Sequence, residues 1–132
     1  LADQNKKTIL VVDDELDIVI IFKAYLQKCG WIVKEFTDPV LAFQHFEQNP
    51  AECTALLSDM RMPDMNGFEL ARKVKAANPE IKIFLMSAFE LSPSELEKVL
   101  PSVKVDGMIE KPGFHARACL SNREAVLRLR KY

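Results

Sequence analysis

The chain has little of what marks most specialised protein classes. Its 132 residues hold three cysteines, Cys29, Cys53 and Cys119. An odd, widely spaced set makes neither a disulfide framework nor a metal cluster, so free thiols in a reducing cytoplasm are expected. His45 and His115 have no partners at zinc-ligand spacing. A net charge of −1 supplies no bulk attraction to nucleic acid or to a membrane surface. No apolar stretch approaches the roughly 20 residues of a membrane span. The segment Leu1 to Lys7 lacks the apolar core of a secretory signal, and the missing initiator methionine points to a trimmed protein or a piece of a longer one. Internal repeats, low-complexity tracts and interdomain linkers are absent. Residues 1–132 therefore read as one cytoplasmic domain, long enough to bury a core.

What the chain does have is four short apolar runs that each end in reactive polar groups. Ile9 to Val12 runs into Asp13 and Asp14. Thr54 to Leu57 runs into Ser58 and Asp59. Ile81 to Met86 runs into Ser87, and Val105 to Ile109 into Glu110, Lys111 and Pro112. A further strand is expected over Trp31 to Phe36. Between the strands lie helical stretches. Glu15 to Cys29 carries a stripe of Leu16, Val19, Ile20, Ala24 and Leu26, and Gly30 suits the left-handed position after its end. Asp38-Pro39 is an N-cap followed by proline at the first helical position, opening a helix through about Gln48 that Asn49-Pro50 stops. A loop over Met60 to Gly67 leads to a helix over Phe68 to Ala77, stopped by Asn78-Pro79. Ser92-Pro93 starts a helix through about Leu100, and a last one covers roughly Leu120 to Lys131.

Five strand–helix units in succession predict an α/β fold, a doubly wound five-stranded parallel sheet with five helices on both faces. In such a sheet the carboxyl ends of the strands share one edge, where ligands bind. Three carboxylates, a hydroxyl and an ammonium should then converge.

Three carboxylates cannot share a pocket unpaired. Two unit charges 4 Å apart repel by about 4 kcal/mol near a protein surface. A hard divalent cation removes the conflict, and Mg2+ prefers a few carboxylate oxygens, several waters and phosphate oxygens. The set Asp13, Asp14 and Asp59 thus suits magnesium better than an acid–base pair. Lys111 offers a compact charge to an anionic oxygen, and Ser87 one hydroxyl donor. An Asp carboxylate can itself be a nucleophile. A phosphoryl group on Asp59 would meet the metal, Lys111 and Ser87 on three sides, which is most of what phosphoryl transfer requires.

At these positions the chain resembles the receiver domain of two-component response regulators, in particular the single-domain chemotaxis type. The matching pieces are Ile-Leu-Val-Val-Asp13-Asp14-Glu, Leu-Leu-Ser-Asp59-Met-Arg-Met-Pro63-Asp-Met-Asn-Gly67, Met-Ser87-Ala and Glu-Lys111-Pro112, in order and spanning about Lys7 to Pro112. The resemblance implies a flavodoxin-like strand order, 2-1-3-4-5. It implies that Asp59 accepts phosphate from a sensor histidine kinase or a phosphotransfer protein. Asp14 and Asp59 would ligate magnesium directly, Arg61 through its backbone carbonyl and Asp13 through water. Ser87 would be the switch hydroxyl and Lys111 the phosphate-pairing lysine, aimed by a cis bond to Pro112. Pro63 and Gly67 would shape the loop after the acceptor. The output would go to a partner protein or an attached effector domain, or to a dimer, through the face of the fourth helix, fifth strand and fifth helix. Neither direct nucleic-acid contact nor membrane attachment is implied. The domain would be no enzyme beyond its own phosphorylation and slow autodephosphorylation.

Three positions around the switch stand out against the family pattern. Met108 stands three residues before the lysine, where receivers usually carry Tyr or Phe, and is either core filler or an altered switch. Phe89 is either an exposed loop aromatic or a substitute relay. The common aromatic after Lys-Pro is replaced by Gly113. A pseudo-receiver, binding partners without phosphorylation, is the alternative function. A haloacid-dehalogenase-like phosphohydrolase is the remote one; it needs a second Asp two residues after the nucleophile, where this chain has Arg61. The basic residues Arg117, Arg123, Arg128, Arg130 and Lys131 are either a solvated helix face or a docking surface for an acidic partner.

Overall fold

The computed structural model describes residues 7–87 and 104–111. The expected helices over 92–100 and 120–131, Phe89 and the Lys111-Pro112 bond lie outside the described residues. Within them the chain runs β1 (Thr8–Val12), α1 (Leu16–Lys28), β2 (Ile32–Phe36), α2 (Pro39–Gln48), β3 (Cys53–Asp59), α3 (Gly67–Ala77), β4 (Lys82–Ser87) and β5 (Gly107–Glu110). All strand pairs are parallel, in the order β2-β1-β3-β4-β5. The doubly wound sheet and its order are as expected.

The central strands are apolar on both sides, as a sheet covered on both faces requires. Alternate residues of β1 and β3 supply two cores. Ile9, Val11, Ala55 and Leu57 pack with Ile18, Phe22 and Leu26 of α1. Leu10, Val12 and Leu56 pack with Ala42 and Phe46 of α2 and with Leu70, Ala71 and Val74 of α3. Burying a side chain such as Phe22 contributes roughly 1.5–3 kcal/mol.

The helix ends follow their capping residues. The Asp38 carboxylate accepts from the backbone N–H groups of Val40 (2.8 Å) and Leu41 (3.4 Å), with Pro39 at the first turn. Gly30 takes a φ of 95° after α1 and donates its N–H to Gln27 O. The α3 start differs from the sequence reading by one residue. Asn66 is its N-cap, accepting from Glu69 N–H at 2.9 Å, so Gly67 is already helical.

The buried face of α1 corrects the expected stripe. Ile18, Val19, Phe22 and Leu26 are buried, whereas Leu16 and Ile20 are 59% and 53% exposed and Ala24 is exposed. At about 100° per residue the first four share one side of the helix and the other three the opposite side. Apolar residues surround the first turns of α1, so composition did not select the face; the cover over Ile9, Val11 and Leu57 did. Trp31 also falls outside its strand: its N–H closes the α1 end on Leu26 O, and β2 begins at Ile32.

Candidate functional site

The parallel sheet brings its carboxyl ends to one edge. Asp13 follows β1, Asp59 ends β3, Ser87 ends β4 and Lys111 follows β5. Asp13, Asp14 and Asp59 present oxygens within 4.8 Å of one another, forming the acidic cluster expected from the sequence. Asp13 has no exposed surface, Asp59 is buried and Asp14 is exposed.

The Lys111 side chain is 7% exposed and lies among these acids. Its Nζ lies 3.0 Å from Asp13 Oδ2, 3.3 Å from Asp59 Oδ2 and 3.5 Å from Glu15 Oε1. It also donates to Asp13 Oδ1 at 3.3 Å. Its aim comes from the sheet, because the Lys111 N–H donates to Ser87 O at 2.8 Å and carries the β4–β5 ladder one residue past β5. Ser87 sits half-buried one position beyond Met86, the residue opposite Asp59. Glu15 is a member of this charge group that the sequence reading missed. The acidic run Asp13-Asp14-Glu15 was its only signal.

Asp13 does not cap α1. The helix begins after Glu15, whose side chain makes no capping bond, and Asp13 Oδ1 instead accepts the Glu15 N–H at 2.9 Å. The Asp-Asp pair is therefore organised toward the pocket.

The electrostatics show strain that a cation would relieve. Burial pushes Asp13 up to about 7; the Glu15 N–H and Lys111 oppose the rise, and the Asp59 charge adds to it. Burial likewise raises Asp59, against Lys111 and the Arg61 N–H, which donates to its carboxylate; Asp14 adds to the rise. For Lys111, burial alone would lower the pKa, but Asp13, Asp59 and Glu15 outweigh it and hold the ammonium above its usual range. Asp13 Oδ2 is buried and accepts no hydrogen bond among the described residues, although Lys111 Nζ lies 3.0 Å away as an ion-pair partner. A buried carboxylate oxygen short of donors, in a hard oxygen donor set, fits a divalent cation.

The loop after β3 is held tightly. The Met60 N–H donates to Met86 O and the Gly67 N–H to Met60 O. A Cβ at Gly67 would come within 2.1 Å of Asp59 O, so only glycine lets α3 start this close to the acidic edge. Asp64 takes a φ of 70°, and the Pro63 carbonyl accepts from Met65 N–H at 2.7 Å. Met108 is half-buried and packs against the core on the α2–α3 side.

An open parallel sheet with three acids and a lysine at its carboxyl edge defines a class of α/β domain with a charged site at that edge. The sequence profile of the response regulator receiver domain matches residues 9–120, and the chain belongs to that family. It is 28% identical to the response regulator receiver protein CpdR of Brucella abortus (strain 2308), covering 92% of this chain and 97% of that protein. It is 32% identical to the transcriptional regulatory protein RprY of Bacteroides fragilis (strain YCH46), covering 97% of this chain but 52% of that protein. It is 34% identical to the sensor protein EvgS of Escherichia coli (strain K12) over 73% of this chain and 8% of that protein. The chain thus spans nearly all of one relative, about half of another and a small part of the third. The solved chemotaxis protein CheY4 of Vibrio cholerae superposes with a TM-score of 0.73 at 26% identity, covering 92% of this chain and 98% of that one. Receiver domains are signalling domains of two-component systems rather than classical enzymes. Among the described residues no helix is long and apolar enough to cross a membrane.

Proposed function

We propose that Asp59 is the phosphoacceptor of this receiver and that residues 1–132 act as a single phosphorylation-controlled domain in the cytoplasm. The observation that carries the reading is Lys111 Nζ, set 3.3 Å from Asp59 Oδ2 beside the acid cluster. An Asp59 oxygen attacks the phosphorus of a phosphohistidine on a sensor kinase or phosphotransfer protein. The P–N bond breaks, and the imidazole nitrogen keeps the electron pair and is protonated. Lys111 exchanges its carboxylate partners for a phosphoryl oxygen, and the Ser87 hydroxyl donates to another. Asp13, Asp14, Asp59 and the Arg61 carbonyl would hold Mg2+, which supplies charge neutralisation for the phosphoryl oxygens. Water later cleaves the acyl phosphate in slow autodephosphorylation. The kinase relatives, which carry a matching segment, support a histidine-kinase or phosphotransfer partner. The phosphate signal leaves through the β5 side, around Met108, toward a partner protein, an attached effector domain or a second copy.

The test is intact mass after incubation with acetyl phosphate. The protein should gain one phosphate with magnesium and none with chelator, and Asp59→Asn should gain none. A phosphate on Asp59→Asn would overturn the assignment.

A further inference from the structure

The row of side chains beneath the acidic edge contains one polar member. Register places Phe36, Val12, Ser58, Leu85 and Met108 side by side across the five strands. Phe36, Val12, Leu85 and Met108 all belong to the apolar core on that face, and Ser58, directly before Asp59, has no exposed surface. A buried hydroxyl is costly unless it is hydrogen-bonded. The Ser58 hydroxyl donates to the backbone carbonyl of Asp59 at 2.9 Å.

That carbonyl sits where the sheet runs out. Register between β1 and β3 ends at Val12 opposite Ser58, so no residue of β1 faces Asp59. The same oxygen is the atom a Cβ at Gly67 would strike. On the other side of the peptide the Met60 N–H is held by Met86 O at 3.1 Å. With Ser58 on the oxygen and Met86 on the N–H, the Asp59–Met60 peptide is fixed at both ends. That peptide joins the Asp59 Cα, which carries the carboxylate, to Met60 and so to Arg61, whose N–H donates to the same carboxylate.

We infer that Ser58 is a positioning residue for phosphoryl transfer: its buried hydroxyl locks the Asp59–Met60 peptide so that the carboxylate faces Lys111 and the cation pocket. The inference rests on Asp59 being the acceptor. Three variants separate hydrogen bond from volume. Ser58→Thr keeps the hydroxyl and adds a methyl group. Ser58→Val has the shape of threonine without the hydroxyl, and Ser58→Ala removes the hydroxyl and leaves space. The readouts are the rate of phosphorylation by acetyl phosphate, Mg2+ affinity by titration, and the 13C carbonyl shift of Asp59. Ser58→Thr should match wild type in all three. Ser58→Ala and Ser58→Val should phosphorylate roughly three- to tenfold more slowly, the factor an ordinary hydrogen bond carries, with the Asp59 carbonyl shift displaced. Equal behaviour of Ser58→Thr and Ser58→Val would overturn the inference, as would wild-type values in Ser58→Ala. If wild type takes no phosphate, the acceptor reading fails by itself. The Asp59 carbonyl shift and Mg2+ affinity then still decide for Ser58, by whether Ser58→Thr and Ser58→Val differ.

Discussion

A carboxylate with no exposed surface can take a proton, pair with a cation or bind a metal, and Asp13 is poised among all three. Its pKa of about 7, set chiefly by burial, means that the folded metal-free protein binds a proton more tightly than the unfolded chain, with its ordinary 3.8. Stability from this group is therefore complete below about pH 4 and is lost as pH rises through about 7. The rise from 3.8 to about 7 bounds the loss at about 4 kcal/mol. In chelator, the melting temperature should fall between pH 5 and pH 8. Asp13→Asn should flatten that dependence and melt higher than wild type at pH 8. Magnesium should stabilise wild type more at pH 8 than at pH 5, because the ion competes with the proton. A chelated melting temperature that rises with pH would contradict the sign. Asp14, exposed at the same cluster, should dominate metal affinity, so Asp14→Ala should bind Mg2+ far more weakly by titration than wild type. Equal affinity would reject the site as drawn.

At the scale of elements, the short edge strand β5 carries Lys111, so its register matters more than its length. Asp106, just before it, forms a clamp on β4. The Asp106 N–H donates to Ile83 O at 2.7 Å, and the Asp106 carboxylate accepts the Ile83 N–H at 2.8 Å. Ile83 is fully buried, so deleting that acceptor strands a backbone donor at a cost of about 1–3 kcal/mol. Asp106→Ala should lose that much in urea titration and speed amide exchange in β5, whereas Asp106→Asn, which keeps an acceptor oxygen, should stay nearer wild type. Unchanged exchange in β5 would show that the clamp does not hold the strand. A second element-scale constraint is the close start of α3. Gly67→Ala must move backbone against backbone, and should cost on the order of 1–3 kcal/mol while displacing the loop after Asp59. A wild-type denaturation midpoint would refute the contact.

These elements also show what sequence could and could not tell. Strand positions were legible because apolar runs ended in polar groups, the strand order came only through the family resemblance, and Asp38-Pro39 and Gly30 marked helix limits by their own chemistry. The rotation of α1 was not, since Leu16 and Ile20 are as apolar as the buried Ile18 and only the sheet surface chooses between faces. The convergence of Asp13, Asp14, Asp59 and Lys111 followed from parallel topology. That Lys111 lies closer to Asp13 than to Asp59, and that Glu15 joins them, depends on tenths of an ångström which no residue pattern encodes. Ser58 was likewise visible as a residue but not as a donor, because its partner is a backbone oxygen.

For the whole molecule, the question is how an event at Asp59 travels. The strands pair Ser58 with Leu85 and Leu85 with Met108, so the acceptor's neighbour and the departing switch position lie in one transverse row. Met108 packs into the α2–α3 side core through a flexible thioether, where the family usually places an aromatic ring. A thioether adapts to several packings at small cost. A modification shifts an equilibrium only through its different interactions with the two states. A side chain that fits both states nearly equally therefore discriminates weakly, and phosphorylation should produce a smaller distal rearrangement than in a receiver with a ring there. NMR shift mapping with beryllofluoride and magnesium measures this. In wild type, perturbations should be strong around Asp13, Asp59 and Lys111 and weak along β5. In Met108→Tyr, they should extend along β5, because a ring cannot occupy both packings at equal cost. Equal distal responses in the two proteins would show that position 108 does not set the size of the switch, and would leave the transverse row as packing alone.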